Sequence, residues 1–157
     1  MKHIISTLVQ NKSGVLAHVA GMFAARGFNI DSLVVGRTED PNLSRMTIVV
    51  NEDDATVEQV RKQLGKLVPV VKVREFANDN CVERDLLMVR VSASPEKRPQ
   101  IVQLAELFRG RVVDVGQTSM LIELSGTEDK IEAFVELLRP FGIVELSRTG
   151  VMAMARE

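Results

Sequence analysis

The residues best suited to chemistry lie in a short loop between the first predicted strand and the first predicted helix. The segment 11–16 has the sequence Asn-Lys-Ser-Gly-Val-Leu. A glycine-containing loop that opens a helix presents free backbone N–H groups, and a carboxylate or phosphate is favoured there. Gly14 has no side chain, so a ligand can approach the backbone closely. The pattern predicts a site for a small anionic molecule rather than a catalytic centre.

A second polar element follows the same predicted helix, in the segment 27–30 (Gly-Phe-Asn-Ile). Asn11 and Asn29 each carry a donor and an acceptor, so together they could serve both ends of a zwitterion. The two elements flank opposite ends of one helix and need not face one pocket within a chain. A site shared across a dimer interface would bring them together.

Simpler interpretations stay open for both elements. Strand-to-helix turns favour Asn, Ser and Gly, so Ser13 can serve only as a helix cap and Asn29 only as a turn residue. His3 and His18 have no ligands at metal-binding spacing, and Cys81 has no neighbours typical of a nucleophile. No P-loop, GxGxxG or catalytic-triad pattern occurs, so we expect no catalytic residues and no metal site.

The elements that position these residues follow one order in both halves of the chain. Apolar residues at helical spacing predict four helices, and β-branched runs between turn-forming clusters predict eight strands. Gly27 is predicted to end the first helix in a left-handed C-cap, and Thr127 is predicted to cap the fourth. Strands are predicted over 4–9, 30–35, 46–50, 70–76, 86–91, 112–115, 120–124 and 143–146. Of the four predicted helices, two carry apolar stripes that begin at Val15 and at Val57. The third spans 99–108, and the fourth follows Thr127.

The repeated βαββαβ order predicts an α+β protein with two ferredoxin-like domains in tandem. The polar segment 77–80 is the best candidate for a linker, which divides the chain into domains over 1–77 and 78–157. Small domains with uncovered sheet faces and edges need a partner. We therefore expect sheets to associate, within the chain or between chains.

Composition excludes several classes of function. Formal net charge is −1, and Trp and Tyr are absent, so neither nucleic acid nor an anionic membrane surface is an expected partner. The single cysteine, Cys81, is consistent with a reducing compartment, and no apolar run approaches the length needed to cross a bilayer. The N-terminal residues lack the features of a signal peptide. We expect a cytoplasmic protein.

The segment 11–16 alone resembles the corresponding loop of ACT domains, a widespread amino-acid-binding module. Further segments along the chain make the resemblance more specific: 27–33, 43–48, 63–64, 66–68, 82–84, 108–115 (Phe-Arg-Gly-Arg-Val-Val-Asp-Val) and 148–151 (Arg-Thr-Gly-Val). With all of these segments, the chain resembles the regulatory (small) subunit of acetolactate synthase, also called acetohydroxyacid synthase, over nearly its whole length.

The resemblance implies an N-terminal ACT domain over 1–77 and a C-terminal domain of related fold over 78–157. It implies a homodimer formed through the ACT sheets, with a branched-chain amino acid, commonly valine, bound between them as feedback inhibitor. The residues that fall on the family's ligand-binding elements are Asn11, Gly14, Val15, Leu16, Asn29 and Ile30.

The resemblance also implies that this chain performs no chemistry and holds no cofactor. The family's large subunit carries thiamine diphosphate, Mg²⁺ and FAD, and condenses pyruvate with pyruvate or 2-oxobutyrate. The small subunit would bind that partner, raise its activity and make it sensitive to the inhibitor. Valine and isoleucine differ by one methylene, so the sequence does not identify the preferred effector.

Three alternative functions stand beside this interpretation, one with another partner and two of a different class. A free-standing ACT regulator would share the ligand chemistry and act on another partner. An acylphosphatase-like hydrolase would need an arginine in the segment 11–16 to hold phosphate, and none is present. An RNA-binding module would need aromatic stacking positions and a basic face.

Overall fold

The computed structural model describes residues 1–76 and 80–157, and it divides into two compact units. Unit 1 contains Met1–Val82 together with Val151–Glu157, and unit 2 contains Glu83–Gly150. Most of the predicted linker, residues 77–79, lies outside the described residues. The division into functional domains at residue 77 stays a prediction.

Unit 1 contains the predicted βαββαβ order as a four-stranded antiparallel sheet. Its strands lie in the order β2-β3-β1-β4, with β2 and β4 at the edges. This is the predicted ferredoxin-like topology. The elements are β1 (Lys2–Gln10), α1 (Val15–Ala25), β2 (Ser32–Arg37), β3 (Leu43–Asn51), α2 (Asp54–Gly65) and β4 (Val70–Phe76).

Alternation along the strands separates the two faces of this sheet. Ile5 and Ile48 are fully buried in a cluster with Phe23 of α1 and Leu64 of α2. Ile4 and the other residues of opposite parity face away from the helices, as expected for a period of two. Full burial of one such aliphatic or aromatic side chain stabilises the fold by about 1.5–3 kcal/mol. This cluster fixes α1 on the sheet and thereby positions both ends of the helix.

The C-terminal end of α1 is closed by the glycine that the sequence predicts. Gly27 has a φ of 68°, and its N–H donates to Ala24 O at 3.2 Å. The N–H of Phe28 donates to Phe23 O at 3.0 Å, and the two phenyl rings meet edge to face with centroids 6.4 Å apart. These bonds and the ring contact form a Schellman motif. The motif sets the direction in which the chain continues to Asn29.

The N-terminal end of α2 is capped by Asp53, whose carboxylate accepts from the backbone N–H of Thr56 at 2.7 Å. That hydrogen bond lowers the pKa of Asp53 from its ordinary value of 3.8. A lowered folded pKa means that the cap stabilises fully above the unfolded pKa and is lost as pH falls through the folded value.

We expect Asp53→Asn to keep the cap and to remove this part of the acid dependence, because asparagine caps equally well without titrating. The loss of the cap with falling pH can be followed by the NMR chemical shifts of the α2 amides, from neutral pH to below 3.8. Asp53→Ala is the control that loses the cap at every pH. Identical acid profiles for the wild type and Asp53→Asn would contradict the prediction.

Unit 2 repeats the order and topology of unit 1, as predicted. Its strands lie in the order β6-β7-β5-β8. Thr127 occupies the N-cap position of α4, but among the described residues its side chain makes no capping hydrogen bond. The elements are β5 (Cys81–Ser92), α3 (Arg98–Leu107), β6 (Arg111–Val115), β7 (Ser119–Gly126), α4 (Glu128–Leu138), a 3-10 turn (Arg139–Phe141) and β8 (Ile143–Arg148).

A buried carboxylate joins three parts of unit 2. Asp85 on β5 is 1% exposed and accepts from Arg148 Nε at 2.8 Å and Nη2 at 2.6 Å. Arg148 also donates to Glu132 on α4, and Gly150 N–H donates to Asp85 at 3.3 Å. Burial disfavours the charge on Arg148, but its hydrogen bonds to the two carboxylates outweigh that penalty and raise its pKa. The network ties β5, β8 and α4 together.

The C-terminal residues form a further strand, β9 (Met152–Ala155). Val151 and Ala153 are buried against Ile4 and Val49, on the face of the first sheet away from its helices. The N–H of Val151 donates to Ser32 Oγ at 3.0 Å. The contact-based division places Val151–Glu157 in unit 1. Their assignment to a second domain over 78–157 stays a prediction.

Candidate functional site: the N-terminus of helix α1

The loop before α1 presents unused backbone donors to its surroundings. Gly14 is the N-cap residue with φ 84° and ψ −8°, and apart from Gly14 and its chain neighbours no atom lies within 4 Å of the position a Cβ would take. Among the described residues, the N–H groups of Gly14, Leu16 and Ala17 have no hydrogen-bond acceptor. The first turn contains no acidic residue. The helix dipole and these free donors favour an anion at this point.

Asn11 is fixed by the turn between β2 and β3. Its backbone N–H donates to Asn42 O at 2.7 Å, and its Nδ2 donates to Pro41 O at 2.9 Å. The amide nitrogen is therefore occupied, and the side chain offers chiefly Oδ1, an acceptor. This holds the loop and the turn side by side.

The apolar residues of the predicted site have different surroundings. Val15 is 6% exposed and belongs to the core of unit 1, so its side chain anchors the helix. Leu16 is 47% exposed and supplies apolar surface next to the free N–H groups. Ile30 is partly buried against the same core as Val15.

Asn29 lies at the other end of α1 and is exposed. Its Nδ2 donates to Asp31 Oδ1 at 2.8 Å. Because α1 has 11 residues, it is about 16 Å long at the usual rise per residue, and Asn29 and Gly14 lie beyond its opposite ends. One chain therefore brings Asn11, Gly14 and Leu16 together, and it leaves Asn29 and Ile30 apart from them.

Two contacts at this site were not predicted from the sequence. The carbonyl groups of Pro41 and Asn42 hold Asn11, and the carboxylate of Asp31 orients Asn29. The strands predicted over 30–35 and 46–50 imply a turn between them, but the direction of its carbonyl groups depends on how the strands pair. The Asn29–Asp31 contact has a local signal, since asparagine commonly bonds a group two residues later.

Two other features are absent from the residues that the structure describes. Residues 1–76 and 80–157 contain no group of three or more His, Cys, Asp and Glu side chains that could hold a metal ion. In the same ranges, no helix has the length and apolar character to cross a membrane.

Comparison with known proteins assigns the family. Residues 5–72 match the model of the small subunit-like ACT domain of acetohydroxyacid synthase (AHAS), and residues 84–157 match the model of the small subunit of acetolactate synthase. A protein of Archaeoglobus fulgidus, named as a probable acetolactate synthase small subunit, is 58% identical over 99% of this chain and 98% of its own. The chain belongs to the acetolactate synthase small-subunit family. This confirms the resemblance seen in the sequence.

Other members of the acetolactate synthase small-subunit family give the same result. The small subunit of Mycolicibacterium smegmatis is 47% identical, over 98% of this chain and 91% of its own. The crystal structure of the small subunit from Thermotoga maritima has a TM-score of 0.93 at 45% identity, and the match covers 100% of this chain and 98% of that one. The predicted fold is thereby confirmed. Family membership and an ACT-type first domain support a regulatory role.

Proposed function

We propose that this chain is a cytoplasmic, non-catalytic subunit that binds the catalytic large subunit of acetolactate synthase, raises its activity and makes it sensitive to valine. Membership of the small-subunit family supports the choice of partner. The proposal of an effector site rests on the open N-terminus of α1, where the loop at Gly14 leaves backbone N–H groups unpaired. Thiamine diphosphate, Mg²⁺ and FAD would belong to the partner.

The carboxylate of the effector would bind the N–H groups of Gly14 and Leu16. Hydrogen bonds from backbone donors to an ionised group are stronger than those between neutral groups. The free Oδ1 of Asn11 can accept from the effector's ammonium group, since its Nδ2 already donates to Pro41. The exposed side chain of Leu16 would contact the isopropyl group. Each part of a zwitterionic aliphatic amino acid thus has a counterpart.

A second copy of the chain would complete the site. Strand β2 begins directly after Asn29–Asp31, lies at a sheet edge and, within the described residues, pairs only with β3. Two-fold pairing of β2 edges would join two ACT sheets and leave neither β2 edge exposed. It would also carry Asn29 and Ile30 of one copy toward Asn11 and Gly14 of the other. We therefore propose a homodimer with the effector at its interface.

An effector placed between two copies can act as an allosteric inhibitor. A ligand shifts an equilibrium only if it binds two states with different affinity. Contacts from both copies would make affinity depend on how the two ACT domains are oriented. Valine would then favour the orientation in which the large subunit is less active.

Reconstitution tests the proposed function. Adding this chain to the purified large subunit is expected to raise the rate of acetolactate formation, and valine is expected to reverse that increase. Calorimetry of the chain alone with valine, leucine, isoleucine and alanine would rank the effectors. Unchanged activity of the large subunit at saturating concentrations of this chain would contradict the proposal.

A further inference from the structure

The face of the first sheet away from its helices carries a groove that the effector site does not use. It consists of two adjoining depressions of about 360 Å³ and 190 Å³, which share Arg45, Ala153 and Met154. Arg37 lines the larger depression, and Arg74 lines the smaller. We call the combined surface the Arg45 groove; all of it belongs to unit 1.

The charge of the Arg45 groove is concentrated and largely uncompensated. Within the described residues, Arg37, Arg45 and Arg74 form no salt bridge; Arg45 donates only to Ser6 Oγ at 3.1 Å, and Arg74 lies 5.4 Å from the ring of Phe76. Glu39 is the one acidic residue among the described lining residues. The chain as a whole has a formal net charge of −1. The local excess of positive charge therefore favours an acidic ligand.

The apolar part of the groove is formed by β9. Met152 and Met154 are 53% and 66% exposed, whereas Val151 and Ala153 of the same segment are buried. Methionine side chains are flexible and polarisable, so they adapt to a partner's apolar residues. Two exposed methionines beside unpaired guanidinium groups suit a polypeptide that carries both carboxylates and apolar side chains.

The groove adjoins the turn that holds the effector loop. Glu39 lines the groove, and Pro41 and Asn42, two and three residues later, accept the hydrogen bonds of Asn11. The turn is internally bonded, with Asn42 N–H donating to Asp40 Oδ1 at 2.9 Å. A partner seated in the groove would therefore contact the same turn that contacts the effector site.

We infer that the Arg45 groove is the docking surface for an acidic segment of the catalytic large subunit. The carboxylates of that segment would pair with Arg37 and Arg45, and its apolar residues would cover Met152 and Met154. This inference rests on the proposed function and adds to it the surface that makes the contact.

The test compares full-length variants in their binding to the catalytic large subunit. The double variant Arg37→Glu/Arg45→Glu is expected to raise the dissociation constant by about tenfold or more and to weaken its dependence on salt. Met152→Ala/Met154→Ala is expected to raise it by about fivefold with little change in salt dependence. Arg61→Glu/Lys62→Glu is the matched control, because it changes the net charge equally at two exposed residues of α2, on the other face of the sheet. Thermal melting and valine calorimetry of each variant establish that the fold and the effector site are retained.

Each other outcome overturns the inference. Unchanged affinity of the double variant would place the partner elsewhere. If the double variant changed the oligomeric mass of the free protein and left its affinity for the large subunit unchanged, the groove would be assigned to a second copy of this chain. If it lost only valine binding, the groove would be an effector site. If the wild-type chain failed to bind the large subunit at all, the proposed function would fail, and the inference with it.

Discussion

Replacing Gly14 with Asp is expected to abolish valine binding by the isolated chain and valine inhibition of the reconstituted enzyme. The introduced carboxylate would lie beside the free N–H groups of α1 and take the place of the effector's own. Like charges brought together in a binding site cost several kcal/mol, so we expect affinity to fall about 100-fold or more. Calorimetry with valine and inhibition curves would measure the two effects.

Gly14→Asn is the matched control for that experiment. Both side chains impose the same bulk and the same left-handed backbone strain at φ 84°, and only aspartate adds charge. We expect Gly14→Asn to weaken valine binding less than Gly14→Asp. Activation of the large subunit should survive in both variants, because Gly14 lies outside the Arg45 groove. Inhibition that persists in Gly14→Asp would show that the effector binds elsewhere.

The largest expected loss of stability comes from Arg148→Leu, at about 3–5 kcal/mol. The substitution leaves the carboxylate of Asp85, which is 1% exposed, without its cationic partner. A buried charge that loses its partner costs far more than the pair itself contributes. The double variant Asp85→Leu/Arg148→Leu should recover much of the loss, because it removes both charges.

Native-state hydrogen exchange would measure this loss by residue. The method suits a chain without Trp or Tyr, which gives no intrinsic tryptophan fluorescence. The decrease in protection should be confined to Glu83–Gly150, the residues of unit 2. Arg139→Leu is the control, since its ion pair with Glu136 is exposed and should matter little. Equal losses in the two variants would contradict the argument.

Features determined by local sequence were predicted well. The bounds of β4 agree with the prediction over 70–76, and Gly27 has the left-handed conformation expected of a helix C-cap. The prediction for β3 began three residues late, because Leu43, Ser44 and Arg45 are paired with Gln10, Val9 and Leu8 across the sheet. Backbone pairing with β1 therefore extends β3 beyond the apolar residues from which it was predicted.

Individual side-chain contacts between distant residues were not predicted. Asp85 lies two and four residues before Leu87 and Val89, so it is on the same face of β5 as these fully buried side chains. The alternation along the strand therefore indicates a buried carboxylate at this position. The sequence does not show that the partner is Arg148, 63 residues away. In the candidate site, the segment 11–16 could be located from its residue types, whereas the role of Pro41 in fixing Asn11 depends on the path of the turn.

The packing of Val151 and Ala153 on Ile4 and Val49 has a consequence for synthesis on the ribosome. Unit 1 is discontinuous in sequence, with the whole of unit 2 translated between its two parts. The nascent sheet of unit 1 therefore keeps the apolar side chains of Ile4 and Val49 uncovered by β9 until residues 151–157 have emerged. Contacts of such long sequence separation form slowly, and exposed apolar surface promotes aggregation in the interval. Chaperone dependence during translation should therefore be greatest for the first part of the chain, although it is synthesised first.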